Sequence, residues 1–245
     1  DFGPGPGSDP GPAPDPDPES PVVRGVRALT RARLTVAFCL LLCAVYAVEQ
    51  LLWRGGQYGT FFELFVARQE PSVGWVLAPL AHSPVDGTHL LGNLAQLLLF
   101  GTVAEGRLAD GEYLGVLGAG GLGSIGGQVA SYAAAAEPAG VGTLGASGTA
   151  FAFTAFVVVD SVRYRAVTGR WHGEATWAWT LFGALLSGQA VLEAVVGAPG
   201  IGAVGHVVGV LVGGAYAAVR PRRALVGRGG GESGGGGAVT ASSRR

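Results

Sequence analysis

Six apolar stretches separated by short polar breaks occupy most of the chain, at about 34–53, 88–104, 113–135, 147–160, 175–195 and 201–219. A helix crosses a bilayer with roughly 20 apolar residues, so each stretch reads as a transmembrane helix. The second and fourth are short, and the fourth works as a span only when the others surround it. Glycines scattered through the third and sixth weaken a helix in water. In hydrocarbon the backbone has no alternative to helix, and glycine lets neighbouring helices approach. The pattern therefore predicts an all-α fold, a polytopic membrane bundle of six transmembrane helices over residues 23–224. Outside it, residues 1–22 are rich in Pro, Gly and Asp, and 225–245 in Gly, Ser and Arg. Both are expected to be disordered tails, because neither holds enough apolar surface to bury.

Composition supports the membrane reading. Charged residues make up 13% and apolar residues 49%, beside 44 glycines, too few charges to cover a soluble globule. A net charge of −1 argues against nucleic acid as a partner, since that needs a strong basic field. All 16 basic residues are arginine. With six crossings and a cytoplasmic amino terminus, Arg24, Arg27, Arg31, Arg33, Arg107, Arg163, Arg165, Arg170, Arg220, Arg222, Arg223 and Arg228 lie inside. Only Arg54 and Arg68 lie outside, as the positive-inside rule requires, and both termini are then cytoplasmic. Abundant Gly, Ala and Arg without lysine point to a GC-rich prokaryote and hence to its cell membrane. The absence of methionine, with Asp1 first, predicts that the native start lies upstream. The first apolar stretch lacks the small-residue pattern of a cleavable signal. The connection 54–87 mixes Phe61, Phe62, Phe65 and Trp75 with Glu63, Arg68 and Glu70, which suits the headgroup region. Cys39 and Cys43, four apart on one helix face, read as small packing residues.

Three polar groups inside apolar stretches are candidates for chemistry. His206 lies within the sixth, where an ionisable ring is expensive and a functional role is the first hypothesis; a bond to a neighbouring carbonyl is the plain alternative. Gly209 and Gly213 share its face, and such a stripe admits another helix. Gly145-Ala-Ser147-Gly148 opens the fourth stretch at the depth of His206. A serine beside a neutral imidazole is the minimum for nucleophilic acyl chemistry. His89 and Asn93, four apart in the second stretch, share a face, either as interhelical hydrogen-bonding glue or as donors to an oxyanion. Neither His82, His89 and His206 nor any sequence cluster has the spacing of a metal site, and no cofactor is expected. His172, in an arginine-bearing loop, receives no role.

Taken together, His89-x-x-x-Asn93, Gly145-x-Ser147-Gly148 and His206-x-x-Gly209-x-x-x-Gly213 resemble the motifs of the rhomboid family of intramembrane serine proteases, in order and host helix. The resemblance implies Ser147 as nucleophile and His206 as general base, in a dyad without an acidic third member. It implies His89, Asn93 and the Ser147 N–H around the oxyanion, and Phe151 packed on the histidine ring where many relatives carry tyrosine. Glu105 and Arg107 resemble a structural acid–base pair of the family. The chain departs from the family at Trp75-Val76, where an arginine is missing, and at His82, set further than usual before His89. The implied substrates are transmembrane segments of other membrane proteins, met within the lipid bilayer. Other readings are a catalytically inactive rhomboid-like protein that binds membrane clients, and a small transporter, which would be expected to show internal repeats.

Overall fold

The computed structural model describes residues 32–173, 175–197 and 202–221. The two predicted tails lie outside the described residues, as do Arg24, Arg27, Arg31, Arg222, Arg223 and Arg228. The described chain is mostly helical, and each apolar stretch coincides with a helix. α1 spans Arg33–Arg54. A long connection follows, with α2 (Tyr58–Phe65), a two-residue strand β1 (Ala67–Arg68) and a short α3 (Gly74–Leu77). α4 (Gly87–Gln96) runs through a π turn, Leu97–Gly101, into α5 (Thr102–Arg107). Then come α6 (Asp110–Ala134), β2 (Gly142–Thr143), α7 (Ser147–Thr168), α8 (Thr176–Val196) and α9 (Ala203–Val219).

Among the described residues, only α1 and α8 are by themselves long and apolar enough to cross a membrane, with mean hydropathies of 2.0 and 1.4; α9 is a shorter apolar helix. The expectation of six such spans is met only in part, for a physical reason. α7 is the centre of the bundle, packed by α6, α8 and α9. It buries Thr149, Thr154, Asp160 and Ser161 along with Phe153 and Phe156. A helix wrapped by protein needs no lipid-compatible surface, so its hydropathy falls. It also runs eight residues past the apolar stretch that predicted it, ending at Gly169, whose φ of 74° is the left-handed C-terminal cap that glycine adopts without strain.

Polar groups tie one end of the bundle together. Arg107 Nη1 lies 3.2 Å from Asp160 Oδ2 and donates to Ser161 Oγ at 2.8 Å. Arg220 pairs with Glu112 at 3.2 Å, and Tyr216 donates to the same carboxylate at 2.8 Å. His172 approaches Asp160 at 3.5 Å, so it belongs to this network. Glu105 accepts the Leu34 and Thr35 N–H groups at 2.8 Å each, satisfying donors that the first turn of α1 leaves open. The ends of α5 and α9, the start of α6 and the late part of α7 therefore share one level. The starts of α4, α7 and α9 and the end of α8 occupy the opposite level.

In the long connection, Phe61 and Phe65 are buried in a cluster of their own rather than fully displayed. β1 pairs antiparallel with β2, Ala67 opposite Thr143, which fastens this connection to the segment leading into α7. Cys39 packs inward, while Cys43 is exposed; the two differ in environment despite their spacing.

Candidate active site

The segment from β2 into α7 presents Ser147. Gly145 has φ of 134°, in the region that favours glycine. A Cβ there would also stand 3.2 Å from the His89 ring. Its N–H donates to the Ala78 carbonyl at 2.8 Å, anchoring the turn. Ser147 is then the first residue of α7, so its N–H has no acceptor within the helix and lies at the positive end of the dipole.

α9 brings His206 to it. The Gly205 N–H donates to Gln128 Oε1 on α6 at 2.9 Å, capping the start of α9. Gly209 and Gly213 face the backbone of α7: a Cβ on either would collide with the carbonyl of Gly148 or of Ala152. Backbone-to-backbone approach of this kind is open only to glycine. At that separation His206 Nε2 lies 2.9 Å from Ser147 Oγ, across 59 residues of sequence. The Phe151 ring sits 4.7 Å from the imidazole, centre to centre, tilted by 38°. Gly148 packs so closely on Ser124 that no side chain fits between them.

α4 supplies the third side. Asp86 accepts the Thr88 N–H at 2.9 Å and starts the helix; the Thr88 hydroxyl and amide together hold its carboxyl below the usual range. The Asn93 amide donates to His82 Nε2 at 2.9 Å. The His82 N–H donates to both oxygens of Glu49, at 3.0 and 3.1 Å. His82 is completely buried and meets His89 edge-on at 5.3 Å. Burial, followed by the neighbouring His89, pushes the pKa of its ring down to about 4. The wider sequence spacing of His82 does not keep it from the site.

Two cavities meet at Ser147, His89 and His206. One, of about 510 Å³, is the more polar of the two: Ser83, Asp86, Ser124, Gln128, Tyr132 and Thr143 line it beside Ile125 and Leu144. The other, of about 540 Å³, lies between α4 and α8, where Leu99, Phe100, Phe151, Phe182 and Leu186 make it apolar. Asn93 lines the second. Among the described residues, no three His, Cys, Asp or Glu side chains converge as metal donors.

All nine residues singled out from the sequence thus converge on this region, together with two that sequence reasoning passed over. Gln128 is an amide in an apolar, glycine-rich helix, and Glu193 a carboxylate in another. A polar group inside such a segment is itself a signal, and the same test that found His206 would have found both. Glu193 also corrects an expectation: no acid was foreseen near His206, yet Glu193 Oε2 stands 3.6 Å from its Nδ1.

A serine and an imidazole in contact at the junction of a polar and an apolar cavity, within a helical bundle, define the class of arrangement. The family model of the Rhomboid domain matches residues 58–223, well over half of the chain, and the chain belongs to the rhomboid family. Rhomboid proteins are membrane proteins, generally intramembrane proteases acting on membrane-protein substrates, and some members are inactive. No curated protein matches the chain.

Proposed function

We propose that this protein is an intramembrane serine endopeptidase that cleaves transmembrane segments of other membrane proteins. The 2.9 Å approach of Ser147 Oγ to His206 Nε2 carries this reading. The serine is the nucleophile and the imidazole its general base. As Oγ bonds to the scissile carbonyl carbon, the hydroxyl proton passes to Nε2 and the carbonyl electron pair moves onto oxygen. The Ser147 N–H, the Asn93 amide and His89 donate to that oxyanion. The imidazolium then returns the proton to the amine as the C–N bond breaks, and water repeats the sequence to release the acyl group. The two cavities divide the labour: the apolar cleft between α4 and α8 receives the substrate segment, and the polar cavity delivers water.

In this reading α1, α4 with α5, α6, α7, α8 and α9 are six crossings of the cell membrane. Residues 23–224 form the transmembrane domain, and the tails 1–22 and 225–245 are cytoplasmic. The serine, both cavities and the long connection face outward, and the Arg107–Asp160–Arg220 network faces the cytoplasm. Gly145, Gly148, Gly209 and Gly213 support the site by allowing close backbone approach, and Phe151 holds the imidazole face.

Labelling with a fluorophosphonate probe and cleavage of a reporter transmembrane substrate, both in detergent, test the proposal. Wild type is expected to label and cleave, while Ser147→Ala and His206→Ala lose both. Labelling that persists in Ser147→Ala removes the nucleophile. A folded wild type that neither labels nor cleaves places the chain among the inactive members.

A further inference from the structure

His206 uses one ring nitrogen toward Ser147. The other, Nδ1, is buried and makes no hydrogen bond with a described residue. An unpaired buried ring nitrogen is costly, and for a general base it matters twice, because the partner of Nδ1 fixes both tautomer and ring orientation. The nearest acidic oxygen is Glu193 Oε2, at 3.6 Å, on the last turn of α8. Side-chain exposure is 14% for His206 and 20% for Glu193, so water screens the pair little. The other Glu193 oxygen accepts from Gln189 Nε2 at 2.9 Å, which leaves Oε2 turned to the histidine.

Two penalties fall on this carboxylate. It lies in an apolar helix long enough to span a membrane, where ionised groups are expensive. It also stands one turn from the helix C-terminus, the negative end of the dipole, where the Gly197 N–H bonds to its own carbonyl. A cationic partner offsets both, and the structure offers one in the imidazolium that forms when His206 takes the serine proton. The remaining titratable groups around the ring are His89 on α4, Asp86 at the rim of the polar cavity and, on α6, Tyr132 in the same cavity. α6 and α7 otherwise present Ser124, Gln128, Ser147 and Phe151.

We infer that Glu193 is a positioning residue for His206, closing a Gln189–Glu193–His206–Ser147 relay on the protease site proposed above. Glu193 accepts the Nδ1–H, holding Nε2 unprotonated and aimed at Ser147. When the serine proton moves to Nε2 and Oγ bonds to the carbonyl carbon, the carboxylate faces a full imidazolium charge. It takes no proton itself, and the proton on Nε2 goes on to the leaving amine. The relay requires the pair to close from 3.6 Å to hydrogen-bonding distance.

The test compares wild type, Glu193→Gln and Ser147→Ala in detergent by two readouts. The first is fluorophosphonate labelling rate against pH. The second is NMR titration of histidine-labelled protein, with His206 assigned by His206→Asn. Glu193→Gln keeps shape and the Gln189 contact but loses the charge. Labelling about tenfold or more slower is expected. The acid limb of the rate profile and the His206 midpoint should both move to lower pH, by about one unit. A purely structural Glu193 moves neither. An unchanged His206 midpoint overturns the inference whether or not the serine reacts. So does an unchanged labelling profile while Ser147→Ala abolishes labelling, and in that case the protease reading stands. Labelling that survives in Ser147→Ala sinks the protease reading instead, and the NMR titration still decides whether Glu193 and His206 are coupled.

Discussion

Asn93 has two N–H groups, and His82 takes one of them. In the proposed mechanism the other donates to the substrate oxygen. Holding an amide by one hydrogen fixes the direction of the second, and Glu49 in turn holds the backbone of His82. Replacing Asn93 by Ala is expected to lower kcat about 10²- to 10³-fold, with KM little changed, as for the loss of one oxyanion donor. Equal losses of turnover and folded yield would make Asn93 structural glue. His82 adds a pH dependence to stability. Its folded pKa is about 4, below the ordinary 6.5, so between these values the unfolded chain binds more protons. Stability contributed by neutral His82 is therefore present above pH 6.5 and lost as pH falls toward 4. Thermal melts in detergent from pH 7 to 5 should show a falling Tm, and a shallower fall in His82→Gln.

At the scale of helices, the approach of α9 to α7 sets the distance between His206 and Ser147. Gly209 is the lever, because a methyl group there meets the Gly148 carbonyl, one residue from Ser147. Backbone cannot swing aside as a side chain can, so Gly209→Ala is expected to cost about 1–3 kcal/mol as overpacking. The same change draws His206 away from Ser147, and labelling should fall more than folded yield. Gly188 on α8 makes the contrast, since nothing lies within 4 Å of a Cβ added there. Gly188→Ala should leave both stability and labelling little changed, because in hydrocarbon the backbone is helical with either residue. Melting temperatures and labelling of the two variants separate close approach from glycine content as such.

Across the whole molecule, the pairing of Arg107, Asp160, Glu112 and Arg220 holds together four helix segments at the level opposite the serine. Asp160 is 1% exposed and Arg220 6%. Asp160→Asn leaves two arginines facing each other without their shared anion, at an expected cost of about 3–5 kcal/mol. This should appear as a lowered Tm or as loss of folded yield. The proposed orientation is checked in intact cells with Cys39 and Cys43 replaced by alanine. A membrane-impermeant maleimide should label Arg68→Cys directly and Arg165→Cys only after permeabilisation. The opposite pattern would invert the topology.

Hydrophobicity and residue spacing are local properties, and they were enough for the helices, for their order and for the convergence of Ser147, His206, His89 and Asn93. A histidine or a serine-glycine turn in an apolar run is conspicuous because hydrocarbon penalises it. Less was legible where a property depends on the surroundings of a helix. α7 looked too short because protein, not lipid, covers its polar late turns. His82 looked misplaced because only the folded connection carries it back to Asn93. Gln128 and Glu193 carried the same polar signal as His206, but nothing along the chain said which way they point. Their significance comes from contact with the N-terminus of α9 and with the far side of the imidazole. Such contacts arise from the packing of α6 and α8 around α9, and no window of neighbouring residues contains them.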